Sequence, residues 1–426
     1  MEIIKHPAES EWPVLQERCE IDVTTLFATV QTVLDKVRCE GDAAVRYYGN
    51  LYDKVNIYDF TVSRDEILEA ESTLTEALKQ AVCIAQSNIE KFHAAQAFAE
   101  VKIETMSGVT CWQKAVSIEK VGLYIPGGTA PLFSTVLMLA IPARIAGCRE
   151  IVLCTPPNRE GKVHPAILYA AQVAGVNKIF KVGGIQAIAA MSYGTETIPK
   201  VYKIFGPGNQ YVTAAKQLVS LKEVAIDMPA GPSEVEIIAD ESANPVYIAS
   251  DFLSQAEHGA DSQSILLTDS EKLAEAVMLE VERQSDQLLR KDLTRKSLEN
   301  SRIIILKNED EIIRFTNQYA PEHLIIHKSD YRELTDKIRN AGSVFLGAFT
   351  PESAGDYASG TNHTLPTKGY AKMYSGVNLD SFVKKITFQE ITREGLRTLG
   401  PTIEILAENE QLDAHKNAVT VRLKEI

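Results

Sequence analysis

The chain has 426 residues, 45% of them apolar and 24% charged, the balance of a globular protein long enough for two or more domains with cores of their own. A net charge of −13 argues against a nucleic-acid backbone as partner. No uninterrupted apolar run is long enough to span a membrane, and the first residues lack a signal-peptide pattern, so a cytoplasmic protein without membrane contact is expected.

Residues 1 to about 105 read mainly as helix, with apolar residues at helical spacing over Val23 to Val37 and Glu66 to Ala99. Asp22 and Asp65 are candidate caps, and His6 and His93 are expected at the surface. This stretch offers no evident chemistry. All six cysteines precede residue 155 and none forms a Cys-x-x-Cys pair, so scattered reduced thiols are expected.

Near Val116 the texture becomes α/β. Lys120 to Pro131 reads as a short strand running into a glycine turn, followed by a long apolar helix from about Leu132 to Ala146. Strands at Ile151–Thr155, Lys178–Val182 and Val201–Phe205 then alternate with helices, which predicts a parallel sheet covered on its faces. Val224–Ile226 and Glu234–Ala239 bracket a Pro/Gly loop. A helix opens at Pro245 and stops at Gly259. Strands near 264–268, 302–306 and after Pro321, with helices over about 271–292 and 310–319, predict a second open sheet. After Gly342–Gly347 comes a long polar loop holding Gly355, Gly360 and Gly369. From about 388 the chain reads as helix again, ending in an amphipathic helix over roughly 408–423.

Three constellations carry possible chemistry. Gln255 and His258 are three apart and face one way near a helix end. An amide oxygen beside an imidazole begins a metal site; taken alone, a solvated helix end where histidine complements the macrodipole accounts for them better. Asp356 and His415 would extend such a site, although nothing in their spacing joins them. A Gln/His/Asp/His set has no thiolate and suits an ion with open positions over a closed structural zinc. Glu322-His323, placed just before an apolar strand, is a candidate acid–base pair; a polar strand entrance explains it equally. Gly206-Pro-Gly-Asn209 and Gly127-Gly128 are candidate phosphate turns. In the first, Tyr211 stands where a dinucleotide fingerprint has its third glycine, and Asp227, the nearest acid in spacing, lies in the Pro/Gly loop. A metal-dependent hydrolase would use the same ligands but leaves the glycine turns unexplained. A non-catalytic nucleotide-binding protein leaves the polar loop around Asp356 and His363 unexplained.

Read together and in order, Val121–Thr135, Gly183–Ala189, Phe205–Asn209, Asp227–Glu234, Leu253–Gly259, Ala320–Leu324, Glu352–Tyr357, Gly360–Pro366 and Glu410–Asn417 resemble the histidinol dehydrogenase family over nearly the whole chain. Small departures are Ile185, where the family motif has Ala, and a longer loop from Asn158 to His164. The resemblance implies oxidation of L-histidinol through L-histidinal to L-histidine, with zinc and two NAD. It implies metal ligands at Gln255, His258, Asp356 and His415, and an acid–base pair at Glu322 and His323. Further substrate contacts fall at Ser233 and Glu410, and NAD contacts at Tyr124, Gln186 and Asn209. The implied fold is α/β, two Rossmann-like open-sheet domains (aldehyde-dehydrogenase-like) with small helical N- and C-terminal additions. Its division would be residues 1–25 as a helical extension, 26–122 with 236–380 as the substrate and metal domain, 123–235 as the NAD domain, and 381–426 as a tail. The tail is expected to reach the partner's active site in a homodimer. No cysteine lies in a matched role, so no thiohemiacetal is expected, and Cys148 and Cys154 are expected to be buried structural thiols.

Overall fold

Runs of Val, Ile and Leu that are apolar on both faces become the central strands of two parallel sheets. The computed structural model describes residues 1–19, 22–127, 130–229 and 231–426. Gly128 of the second candidate phosphate turn lies outside the described residues. In chain order the strands are β1 (Glu2–Lys5), β2 (Lys102–Met106), β3 (Val109–Ser117), β4 (Lys120–Tyr124), β5 (Glu150–Thr155), β6 (Lys178–Lys181), β7 (Lys203–Phe205), β8 (Ala225–Ile226), β9 (Glu234–Ala239), β10 (Gln263–Thr268), β11 (Arg302–Ile305), β12 (His323–His327), β13 (Ser343–Leu346) and β14 (Val383–Ile391).

The first sheet runs β6-β5-β4-β7-β8 and the second β1-β11-β10-β9-β12-β13. Leaving β1 aside, both are wound alike: the first strand is central, the next two lie to one side and the last two to the other. The winding reverses between β4 and β7, and again between β9 and β12, which are the switch points of the two sheets. At the first of these Gly206 has φ +122°, and a Cβ there would collide with the Tyr124 carbonyl, so only glycine lets the two strands approach. The helix Phe133–Ile145 is buried nearly all round, which explains its uniformly apolar sequence.

The structure corrects several expectations. Residues 26–122 do not join the second sheet. Val30 and Leu34 of the helix Phe27–Glu40 share a core with Ile188 and Val212, while Val82 and Ile89 of the helix Glu76–Ala94 share one with Leu137 and Ile141. These helices therefore cover the five-stranded sheet; an apolar stripe shows that a helix is covered but not by what. Residues 1–25 are not simply a helical extension, because β1 pairs in parallel with β11 and Trp12 enters the core under the six-stranded sheet. His93 is fully buried, its Nδ1 2.9 Å from the Ile89 carbonyl. Ser63, not Asp65, caps the helix Arg64–Thr73, and Asp22 caps the short turn Val23–Leu26. The helix expected over 271–292 is two, Glu271–Ser285 and Lys291–Glu299. Asp356 lies on a short helix, Glu352–Tyr357, inside the expected loop. Finally, β14 pairs antiparallel with β3, and β3 with β2, a three-stranded arm where helix or loop was expected. Two helices, Arg393–Asn409 and Asp413–Leu423, follow it. No described helix is long and apolar enough to cross a membrane.

Candidate active site and metal centre

Strands β9 and β12 are hydrogen-bonded neighbours, with His323 in register with Val235. Their amino ends therefore bring Ser233-Glu234 beside Glu322-His323. The Glu234 backbone N–H donates to Glu322 Oε2 at 2.9 Å. His323 Nδ1 lies 3.3 Å from the Glu234 carbonyl, which only accepts, so Nδ1 carries a proton and Nε2 is the nitrogen left to exchange one. Nε2 is buried without a hydrogen-bond partner among the described residues, 3.5 Å from Asp356 Oδ1. Neighbours on a strand point to opposite faces, but β12 begins only at His323, so Glu322 and His323 can share a cleft.

The helix Pro245–Ala256 follows β9 and runs back antiparallel to it, so its C-terminal end arrives at the same edge. Asn244 caps its start by accepting from the Val246 N–H. Gln255 is fully buried; with its amide oriented to suit both neighbours, it donates to Glu352 and accepts from the Glu234 N–H at 2.6 Å. His258, just past the helix, is exposed at the mouth of the site, and the protein around it pushes its pKa down. The short helix Glu352–Tyr357 supplies Glu352 and Asp356 from one face, four residues apart. Ligand atoms of His258, Glu352 and Asp356 lie within 4.8 Å of one another.

This donor set suits a cation. Burial pushes Glu322 and Glu352 up to about 8, against the pull of His323. Burial alone would lower His323, but the carboxylates of Glu352, Glu322 and Asp356 outweigh it and raise it to about 10. Asp356 is held below the usual carboxylate range despite its burial, chiefly by the imidazole of His323 beside it. The cluster thus takes up protons to balance its negative charge, and a metal ion would supply that balance instead. Imidazole and oxygen donors without thiolate match a catalytic zinc or similar ion.

The other sequence candidates divide in two. Ser233 sits beside Glu234, half-buried, its carbonyl accepting from the Gln263 N–H at 3.1 Å. Glu410 ends the helix Arg393–Asn409 and His415 lies on the last helix; both are exposed, and the fold of one chain does not bring His415 into the cluster. Two residues at the centre were missed. Glu352 had a readable signal, its i,i+4 relation to Asp356. His363 reads from the sequence as part of the polar loop around Asp356, without a role: its Nδ1–H donates to the Asp356 carbonyl at 2.9 Å and its Nε2 accepts from Thr135 at 3.0 Å, tying the cluster to the helix Phe133–Ile145.

Tyr124, Gln186 and Asn209 gather at the opposite kind of edge, the carboxyl ends of the five-stranded sheet. Tyr124 ends β4, and its hydroxyl accepts from the Gly184 N–H at 3.1 Å; burial pushes the phenol up to about 12. Gln186, in the first turn of the helix Gly184–Tyr193, donates to Asp53 at 3.2 Å, and burial raises that carboxyl to about 6. Asn209 caps the helix Gln210–Ser220, accepting from the Tyr211 and Val212 N–H groups, both at 3.1 Å. Asp227 is not open to a ribose: its side chain is buried, paired with Lys216 and bonded to the Gly206 N–H at 2.8 Å. Cys154 is buried and its thiol is pushed up; Cys148 is only partly buried, yet burial still pushes it up to about 12.

A family model described as histidinol dehydrogenase matches residues 16–423. Histidinol dehydrogenase of Bacteroides thetaiotaomicron is 65% identical over 423 residues, 99% of each chain. The chloroplastic histidinol dehydrogenase of Arabidopsis thaliana is 52% identical over 422 residues, 98% of this chain and 90% of that one. The crystal structure of histidinol dehydrogenase from Elizabethkingia anophelis superimposes with a TM-score of 0.98 at 56% identity, over 100% of this chain and 98% of that chain. With its two like-wound sheets and the matched order of its motifs, the chain belongs to the histidinol dehydrogenase family, oxidoreductases of histidine biosynthesis.

Proposed function

We propose that this chain oxidises L-histidinol through L-histidinal to L-histidine with two NAD, at a zinc site formed by Gln255, His258 and Asp356 of one chain and His415 of a second copy. The observation that carries the reading is the meeting of His258, Asp356 and the free Nε2 of His323 at one edge of one sheet. Held by these residues, zinc would supply a template and a Lewis acid that fixes the substrate beside His323. With a cation balancing the carboxylates, His323 Nε2 would take the hydroxyl proton while Nδ1 stays on the Glu234 carbonyl and keeps the ring oriented; NAD, when bound, would supply the hydride acceptor. Glu322, steadied by the Glu234 N–H, activates water for the aldehyde stage, and His323 acts again in the second oxidation. Ser233 and Glu410 would complete the substrate pocket. Tyr124, Gln186 and Asn209 would hold NAD at the carboxyl edge of the five-stranded sheet, where helix N-termini favour its phosphates.

A homodimer is part of this reading. The arm and the helices after it carry exposed apolar side chains, Ile386, Phe388 and Ile391 on β14 and Ile405, Leu406 and Leu412 beyond it, an apolar surface of the kind a partner covers. The proposed compartment is the cytoplasm, where thiols such as the six in this chain stay reduced. The test is the amount of NADH formed per L-histidinol, with and without a chelator. Two NADH per substrate, lost on chelation and restored by zinc, is expected. One NADH, or turnover indifferent to the chelator, contradicts the proposal.

A further inference from the structure

We propose that Arg18, from the N-terminal segment in which the sequence offered no chemistry, is a positioning residue for the acid–base pair and acts through Glu234. Its guanidinium pairs with the Glu234 carboxylate, whose side chain is only 2% exposed. A second guanidinium nitrogen donates to the Tyr319 carbonyl at 2.7 Å, and the plane lies over the Tyr319 ring, 3.8 Å from its centroid. The other Glu234 oxygen accepts from the Lys368 N–H at 2.5 Å, so the side chain is held from two sides.

The peptide groups of this same residue touch the chemistry. The Glu234 N–H donates to Glu322, and its carbonyl faces Nδ1 of His323. Glu234 is the first residue of β9, so the Ser233 carbonyl on the Gln263 N–H is where the ladder to β10 ends, with loop on the other side. Arg18 adds a constraint on this end residue through its side chain. A planar fork can grip a carboxylate, a carbonyl and a ring face together, which a lysine ammonium cannot. A rotation at Glu234 would carry both Glu322 and His323 out of line, and misplacement of about 1 Å is enough to cost a reaction heavily.

The proposal rests on Glu322 and His323 being the acid–base pair, and the test separates the two ideas. Arg18→Met alone leaves a buried carboxylate unpaired and lowers Tm, so it does not distinguish positioning from folding. The double variant Arg18→Met/Glu234→Gln removes both charges, while the new amide oxygen still accepts from the Lys368 N–H. In the full-length, metal-loaded enzyme this double variant is expected to regain a Tm close to the parent, yet to keep kcat about tenfold down on L-histidinol and L-histidinal, with KM for NAD unchanged. Arg18→Lys, which keeps the ion pair, should hold its Tm and lose kcat by a smaller factor. Recovery of parental kcat together with Tm in the double variant would overturn the proposal. Should the double variant stay destabilised, Arg18→Lys decides, and parental kcat there overturns it equally. His323→Asn at parental kcat would instead overturn the acid–base assignment, whatever Arg18 does.

Discussion

In the five-stranded sheet Tyr124, Gln186 and Asn209 stand at the carboxyl ends of the strands, where the helices Gly184–Tyr193 and Gln210–Ser220 begin. In the six-stranded sheet, wound in the same order, Glu322, His323, Gln255 and His258 stand at the amino edge, where the helix Pro245–Ala256 ends. The difference is electrostatic. Helix N-termini present free N–H groups and favour anions, while helix C-termini present carbonyls and favour cations. One architecture thus offers an edge suited to a dinucleotide's phosphates and an edge suited to a metal ion. The residue types follow suit: glycines and an Asn cap at the first edge, carboxylates and imidazoles at the second.

Each edge can be broken separately. The largest effect is expected from His258→Asn, which should lower zinc content and activity together, activity by about 100-fold or more, since even outer-shell changes at metal sites cost 10- to 100-fold. Metal analysis alongside turnover checks it; full zinc with normal turnover would remove His258 from the site. Next, Glu322→Gln keeps the acceptor for the Glu234 N–H but loses the base. It should slow histidinal oxidation within the range of about 10²–10⁴-fold typical of acid–base groups, and histidinol oxidation less. Equal slowing of the two half-reactions, measured separately, would contradict that division of labour. At the carboxyl edge, Gln186→Ala should raise KM for NAD about 3- to 10-fold, the loss of one hydrogen bond, and leave zinc content alone. A change in zinc without a change in KM would blur the distinction between the edges.

The smallest effect concerns what the six-stranded sheet costs its core. Glu236, one turn of the strand pleat beyond Glu234, is fully buried with one oxygen unpartnered, and burial pushes it up to about 8. Its folded pKa lies above the unfolded value of 4.5, so the folded state holds the proton more tightly; stability is fully present below about pH 4.5 and is lost as pH rises through about 8. Glu236→Gln should therefore stabilise the protein at pH 8 by on the order of 1 kcal/mol and much less at pH 5. Thermal unfolding at the two pH values checks it, and an equal shift at both would contradict the buried-acid account.

Apart from β1, which lies in a stretch that reads as helix, the strands of both sheets were legible because their apolar runs and short connections leave little else for them to form. The arm was not. Val383–Ile391 is polar and exposed along most of its length, and its partner β3 lies far back in the chain, so only tertiary pairing makes it a strand. The same limit hid which sheet the early helices cover. At the site, Gln255, His258, Asp356, Glu322 and His323 stood out through their motifs. Arg18 did not, because it acts through contacts that no local spacing records. His93, expected at the surface, shows the converse: a lone histidine on an apolar face satisfied by its own helix.

On the proposed reading the tail of a second chain completes the metal edge, since His415 is exposed on its own chain and stands outside the cluster there. The most direct measurement is complementation. An inactive Glu322→Gln/His323→Gln chain is mixed with an inactive His415→Asn chain under conditions that exchange subunits, and activity is followed as heterodimer forms. If tails cross, one site of the heterodimer collects all the lesions and the other none, so partial activity returns. If each tail serves its own chain, every site keeps a lesion, and a heterodimer confirmed by mass that stays inactive contradicts the claim.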